Sequence, residues 1–111
     1  NVESPGSCMT MLILFDIVIE PATSIDAQVI AFVPKLLAAP RRTPFTTWGK
    51  YTGQGVLMQG KLLGLNQGSV RVFAHANDKR SFVVVEQCYD EDMKDVKPGF
   101  DLLESSFELL P

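Results

Sequence analysis

A chain of 111 residues, 46% of them hydrophobic, carries enough apolar material for one domain with a single modest core and leaves no room for a second. Ten Lys and Arg against thirteen Asp and Glu give a net charge of -3 and a pI near 5.0, so no broad positive field attracts phosphates and a nucleic-acid partner is not expected. The longest apolar run, Met9 to Ile19, falls short of the roughly 20 residues a membrane-spanning helix needs, and Asp16 interrupts it, so no transmembrane segment is expected.

The first residue is Asn, and no basic stretch followed by an apolar one precedes the first strand pattern. The expectation is therefore one domain over 1–111 from a longer or processed chain, compatible with export. In "CMTMLILFDIVIE", Met9, Met11, Ile13, Phe15, Ile17 and Ile19 alternate with Thr10, Leu12, Leu14, Asp16 and Val18, a period of two that predicts a long strand. Its second face is also largely apolar, which predicts that another element covers part of it. In "EPATSIDAQVIAFVPKLLAAP" the period becomes helical: Thr23 or Ser24 can cap a helix with the stripe Ile25, Val29, Phe32, Val33 and Leu36. Pro34 predicts a kink or break there, and Pro40 an end.

The β-branched and aromatic residues of "RRTPFTTWGKYTGQGVLMQGKLLGLNQGS" predict strands over Phe45 to Tyr51 and Val56 to Leu65, with a bulge or bend at Gly60. "NQGS" reads as a turn into "VRVFAHA", and a two-residue turn at Asn77-Asp78 leads into "RSFVVVEQCYD". That turn sets His75 opposite Arg80, Phe73 opposite Phe82 and Arg71 diagonal to Glu86. Val70, Val72, Ala74, Ser81, Val83 and Val85 then share one face. In "DVKPGFDLLESSFELLP", Phe100, Leu103 and Phe107 stand at helical spacing behind Pro98, which suits a first turn, and the helix is expected to end near Ser106. The order β-α-β-β-β-β-α predicts an α+β fold, an antiparallel sheet with helices packed on it.

No catalytic site emerges from the residue types. His75 is the only histidine and faces a cation in the predicted register, so it lacks the orienting acid and nearby nucleophile that general-base work requires. "YDEDMKD", residues 89–95, lacks the glycine and distal glutamate of a calcium loop and reads as a solvated connection. Ser105 and Ser106 have no nucleophile elbow around them. Cys8 and Cys88 match neither a zinc nor a redox spacing, which leaves a single disulfide or two buried thiols, and no metal or cofactor is expected. Arg41, Arg42, Trp48, Lys50 and Tyr51 form the one concentrated basic and aromatic set and are the candidate partner-contact residues.

"GQGVLMQGKLLG", "GSVRVFAHANDKRSFVVVEQC" and "PGFDLLESSFELL" together resemble the PsbP-type proteins and their bacterial relatives of unassigned function. The likeness lies in a glycine-bearing strand, a hairpin, and a last helix closing on a serine-phenylalanine pair, here Ser106-Phe107. It covers about residues 45–110 and implies an α/β/α sandwich, an antiparallel sheet between helices. It further implies a non-enzymatic binding or assembly module with a protein partner and no cofactor, from an exported or envelope-associated bacterial parent. The short, lysine-poor chain departs from the photosynthetic members. The competing expectation is a small-ligand-binding domain or small enzyme with a pocket between sheet and helices, on which His75, Trp48 and Arg42 would converge.

Overall fold

Residues 8–109 are described by a computed structural model, with side chains described for all of these except 32–36, 38 and 39. They form β1 (Met9–Phe15), α1 (Pro21–Leu36), β2 (Leu37–Trp48), β3 (Tyr51–Leu62), β4 (Asn66–Ala76), β5 (Ser81–Tyr89) and α2 (Asp90–Ser106). The strands make one sheet in the order β1-β5-β4-β3-β2, every neighbouring pair antiparallel. This is the α+β arrangement that the element order predicts.

Period-two alternation divides the side chains between two apolar layers. On one face Met58, Leu62, Val70, Val72, Ala74, Val83 and Val85 meet Ile25 and Val29 of α1, with Met9, Met11, Ile13 and Phe15 of β1 beside them. On the other face Trp48, Phe73, Phe82 and Val84 meet Leu103 of α2 and Phe107 just beyond it, and Leu12, on the second face of β1, packs against the same cluster. Further along that face Cys8, Cys88 and Phe100 pack with Met93 and Val96. The helices thus cover opposite faces of the sheet. All nine residues of β5 are buried, which fits its place between β1 and β4 and its run of valines. Fully burying each such aliphatic side chain contributes about 1.5–3 kcal/mol.

Cys8 and Cys88 form a disulfide that joins the approach to β1 to the end of β5, one step beyond the Met9–Gln87 pair. The hydroxyl of Ser81 ties down the chain leaving β1: it donates to the Ile17 carbonyl at 2.8 Å and accepts the Ile19 N–H at 3.2 Å.

Several local expectations are corrected. β1 stops at Phe15, before the Asp16 side of the apolar run. α1 starts with Pro21 at its first position, so Glu20, whose carbonyl accepts the Thr23 and Ser24 N–H groups, occupies the cap expected of Thr23 or Ser24. The helix continues through Pro34 to Leu36, where the missing N–H falls close to the natural end. Of its predicted stripe, the side chains of Phe32, Val33 and Leu36 lie outside the described residues.

β2 begins directly at Leu37 and includes Pro40 and Pro44, which an edge strand tolerates because one side of its backbone has no ladder to complete. The irregularity predicted at Gly60 lies opposite it, where residues 39–40 of β2 face that one glycine. The β2–β3 turn falls at Gly49-Lys50, with Gly49 at φ 58°, and "YTGQG" lies inside β3. The β3–β4 turn uses Leu63 and Gly64, both at positive φ, so "NQGS" belongs to β4.

The β4–β5 register differs by two residues from the predicted one. His75 pairs with Phe82, Phe73 with Val84 and Arg71 with Glu86. Asn77 is the cause: its side-chain oxygen accepts the N–H groups of Lys79 and Arg80, both at 2.8 Å, while its own N–H donates to the Arg80 carbonyl at 2.9 Å. Asp78 and Lys79 therefore form the tip, as in a side-chain-closed turn. A shift of two preserves which face each side chain occupies, so the predicted apolar face survives.

The acidic segment predicted as a connection forms the start of α2. Asp90, Glu91 and Asp92 occupy its first turn, where carboxylates favour the positive end of the helix dipole. Pro98 consequently lies inside the helix, and burial of Phe100 with Met93 and Val96 offsets its cost of about 3 kcal/mol.

Candidate functional site

Between α2 and the sheet lies a cleft of about 720 Å³. Leu57 of β3 and Met93 and Phe100 of α2 supply apolar wall, and Gly49 and Ser105 also line it. Its polar residues are Arg71, Glu86, Asp90, Lys97, Asp101 and Glu104, with Gln59 and Ser69. They reach this cavity by the same periodicities that build the core. Arg71 and Glu86 alternate with the valines of β4 and β5, and Glu104 lies one helical turn beyond Phe100.

Arg71 organises the cleft. One guanidinium nitrogen, Nη1, donates to Glu86 Oε1 at 3.1 Å and to Glu104 Oε1 at 3.0 Å. Its Cζ stands 4.8 Å from the centroid of the Phe45 ring. The ring itself lies across Gly55, its cross-strand partner, where a Cβ would displace it. Glu104 also accepts the Gly49 N–H at 2.9 Å through Oε2, which links the β2–β3 turn to α2.

Glu86 is only 3% exposed, and its Oε2 has no hydrogen-bond partner. Burial pushes its carboxyl up from the ordinary range, against the opposing pull of Arg71. For Glu104 burial is again the largest single influence and acts upward. The hydrogen bonds from Arg71 and Gly49, with the Arg71 charge, outweigh it and hold that carboxyl below the ordinary range. Burial also tends to lower the Arg71 pKa, and its two carboxylate partners reverse this to a net rise.

The predicted basic and aromatic set does not form one surface: Trp48, Lys50 and Tyr51 are neighbours around the β2–β3 turn, while Arg41 and Arg42 lie further along β2. Arg41 and Arg42 are exposed on β2 and pair with Gln59 and Met58, neighbours whose side chains lie on opposite faces. Arg41 Nη2 donates to Gln59 Oε1 at 3.3 Å. Lys50 forms an exposed ion pair with Glu108 at 2.6 Å. Tyr51 packs on Phe82 and Phe107, and its hydroxyl accepts the Leu109 N–H at 2.6 Å.

Trp48 is corrected as a partner contact: it is 0% exposed, within about 6 Å of the Phe73, Phe82 and Phe107 rings, and serves as core. His75 lies outside the cleft lining, against Tyr51 and Phe82. Its Nδ1 is 2.7 Å from the Thr52 carbonyl, which can only accept, so Nδ1 carries a proton. The convergence of His75, Trp48 and Arg42 that a pocket was expected to need does not occur.

Glu104 and Gly49 escape a sequence reading that follows only apolar positions in the last helix. The available signals were a glutamate four residues after a buried Phe and a glutamate in the inward register of an otherwise apolar strand. Among the described residues, no three His, Cys, Asp or Glu side chains group closely enough to hold a metal ion, and no helix is long and apolar enough to cross a membrane. No protein-family model, curated protein or solved structure matches the chain.

Proposed function

We propose that this domain is a non-catalytic binding module of PsbP-like type that holds part of a partner molecule in the cleft between α2 and the sheet. One observation carries the reading: a concave, partly apolar cavity converges on a few fixed polar groups, the usual form of a ligand site. A protein partner is the favoured occupant, because exposed Arg41 on the edge strand, hydrogen-bonded to Gln59 of the cleft lining, flanks the cavity side of the domain. An exported parent chain is part of the same proposal, and the Cys8–Cys88 disulfide supports it, since such bonds persist in oxidising compartments.

The opposed shifts of Glu86 and Glu104 favour a second reading, a small enzyme with an acid–base carboxylate pair. Against it, one Arg71 nitrogen is bonded to both carboxylates, which leaves the guanidinium where a reacting group would sit. Ser105 Oγ, a hydroxyl of the cavity lining, donates to the Leu102 carbonyl at 3.2 Å.

The test is an amide-resolved NMR titration with phenylbutanol, a neutral aromatic probe. Shifts should concentrate at Leu57, Met93, Phe100 and Ser105, and Leu57→Trp, which crowds the apolar wall, should weaken them. Shifts scattered over the surface, or none up to the solubility limit, would overturn the reading.

A further inference from the structure

Resting on that reading of the cleft, we infer that its occupant presents an organic cation, an ammonium or guanidinium on an apolar stem, with the charged group directed at Glu86 Oε2. The lining holds four carboxylates, Glu86, Asp90, Asp101 and Glu104, against two cations, Arg71 and Lys97. Both cations are already engaged: Arg71 by Glu86 and Glu104, and Lys97 by Asp101 at 3.0 Å. An incoming anion would meet a surplus of negative charge, while a cation would complete the set.

The second observation is the unpartnered oxygen. Glu86 is nearly all buried, and one of its two oxygens is satisfied by Arg71 while the other meets no donor. A buried carboxylate oxygen without a donor is costly, and a charge-assisted hydrogen bond from a ligand N–H removes that cost. The absence of a three-ligand His, Cys, Asp or Glu group among the described residues favours an organic cation over a metal ion. Leu57, Met93 and Phe100 provide the apolar wall for its stem.

Binding should also be linked to proton release. The groups facing Glu86 are Arg71 from β4 and, from α2, Glu104 and Asp101, whose negative charges add to the upward shift. A ligand cation beside Oε2 opposes that shift, so affinity should tighten as pH rises through the Glu86 pKa.

The deciding experiment compares phenylbutylammonium, phenylbutanol and phenylbutyrate on the intact, disulfide-bonded chain by calorimetry and amide-resolved NMR. The ammonium should bind at least about tenfold more tightly than the alcohol, with the carboxylate weakest. Glu86→Gln should remove that preference, so that the ammonium and the alcohol bind alike. Asp90→Asn, at an exposed position, should reduce it less and serves if the first variant does not fold. Equal binding of ammonium and alcohol, or tightest binding of the carboxylate, would overturn the cation assignment and leave the cleft as a ligand site. Failure of all three probes to bind would overturn the cleft reading as well. N-acetyl-lysine methylamide supplies the last arm: binding tighter than the simple ammonium assigns the cation to a polypeptide side chain, and weaker binding to a free amine.

Discussion

The backbone N–H of Gly49 donates to Glu104 Oε2 at 2.9 Å, so the tip of the β2–β3 hairpin is fastened to the C-terminal half of α2. Gly49 sits at φ 58°, and a Cβ on it would collide with the Glu104 carbonyl oxygen. Two constraints therefore demand glycine at once. Gly49→Ala should destabilise the domain by at least roughly 1–3 kcal/mol from backbone strain alone, read as a lower urea midpoint. A variant as stable as the parent would show that the hairpin tip does not dock on α2.

The two carboxylates bonded to Arg71 should leave opposite marks on the pH dependence of stability. Glu104 is held below the ordinary carboxylate range, so its contribution is present above its unfolded-state pKa and is lost as pH falls through the folded value. Glu86 is pushed above that range, so the folded chain binds the extra proton and stability falls as pH rises between the unfolded and folded values. Urea midpoints across a pH series should show Glu104→Gln flattening the acidic limb and Glu86→Gln removing the decline at higher pH. Parallel profiles for Glu86→Gln and the parent would refute the assignment for Glu86.

The Cys8–Cys88 bridge closes residues 8–88, with α1 and nearly all of the five-stranded sheet, into one loop. Removing it with the double change Cys8→Ser and Cys88→Ser should cost about 4 kcal/mol, detectable as a fall in the midpoint of thermal unfolding. Thiol titration of the unfolded parent without reductant should find no free sulfhydryl. Two reactive thiols would contradict the bridge.

Trp48, the single tryptophan, is fully enclosed by aromatic rings. Its emission should be blue-shifted in the native protein and resist quenching by iodide, with both properties lost on denaturation. Strong native-state quenching would mean that the aromatic layer under α2 is open.

Periodicity carries fold information because it depends only on which face a side chain takes. That is why the two-sided apolar sheet, the Ile25 and Val29 contacts of α1 and the Phe100 and Leu103 contacts of α2 are readable in the sequence. Boundaries were harder because they depend on competition between local signals. Asn77 closes its turn with its side chain and moves the tip by one residue, and the acidic first turn of α2 lets the helix begin well before Pro98. The candidate site is half visible in the sequence: Arg71 and Glu86 are diagonal neighbours across the predicted hairpin, while Glu104 and Gly49 join them only through the packing of α2 on the sheet. Residue type alone does not place Trp48, because an aromatic residue beside basic ones reads alike at an interface and in a core, and its full burial decides for the core.

The strand order carries a kinetic consequence. β2, β3, β4 and β5 succeed one another as hairpins, so each pairing can form at small loop-closure cost once its neighbour is in place. β1 is different, since Met9 must find Gln87 and Phe15 must find Ser81 across most of the chain. Assembly should therefore zip through the four-strand meander and add β1 last, making the β1–β5 seam the slow step. The bridge between Cys8 and Cys88 lies on that seam. With it formed, the last strand searches locally, and refolding of the oxidised chain should outpace that of the reduced one.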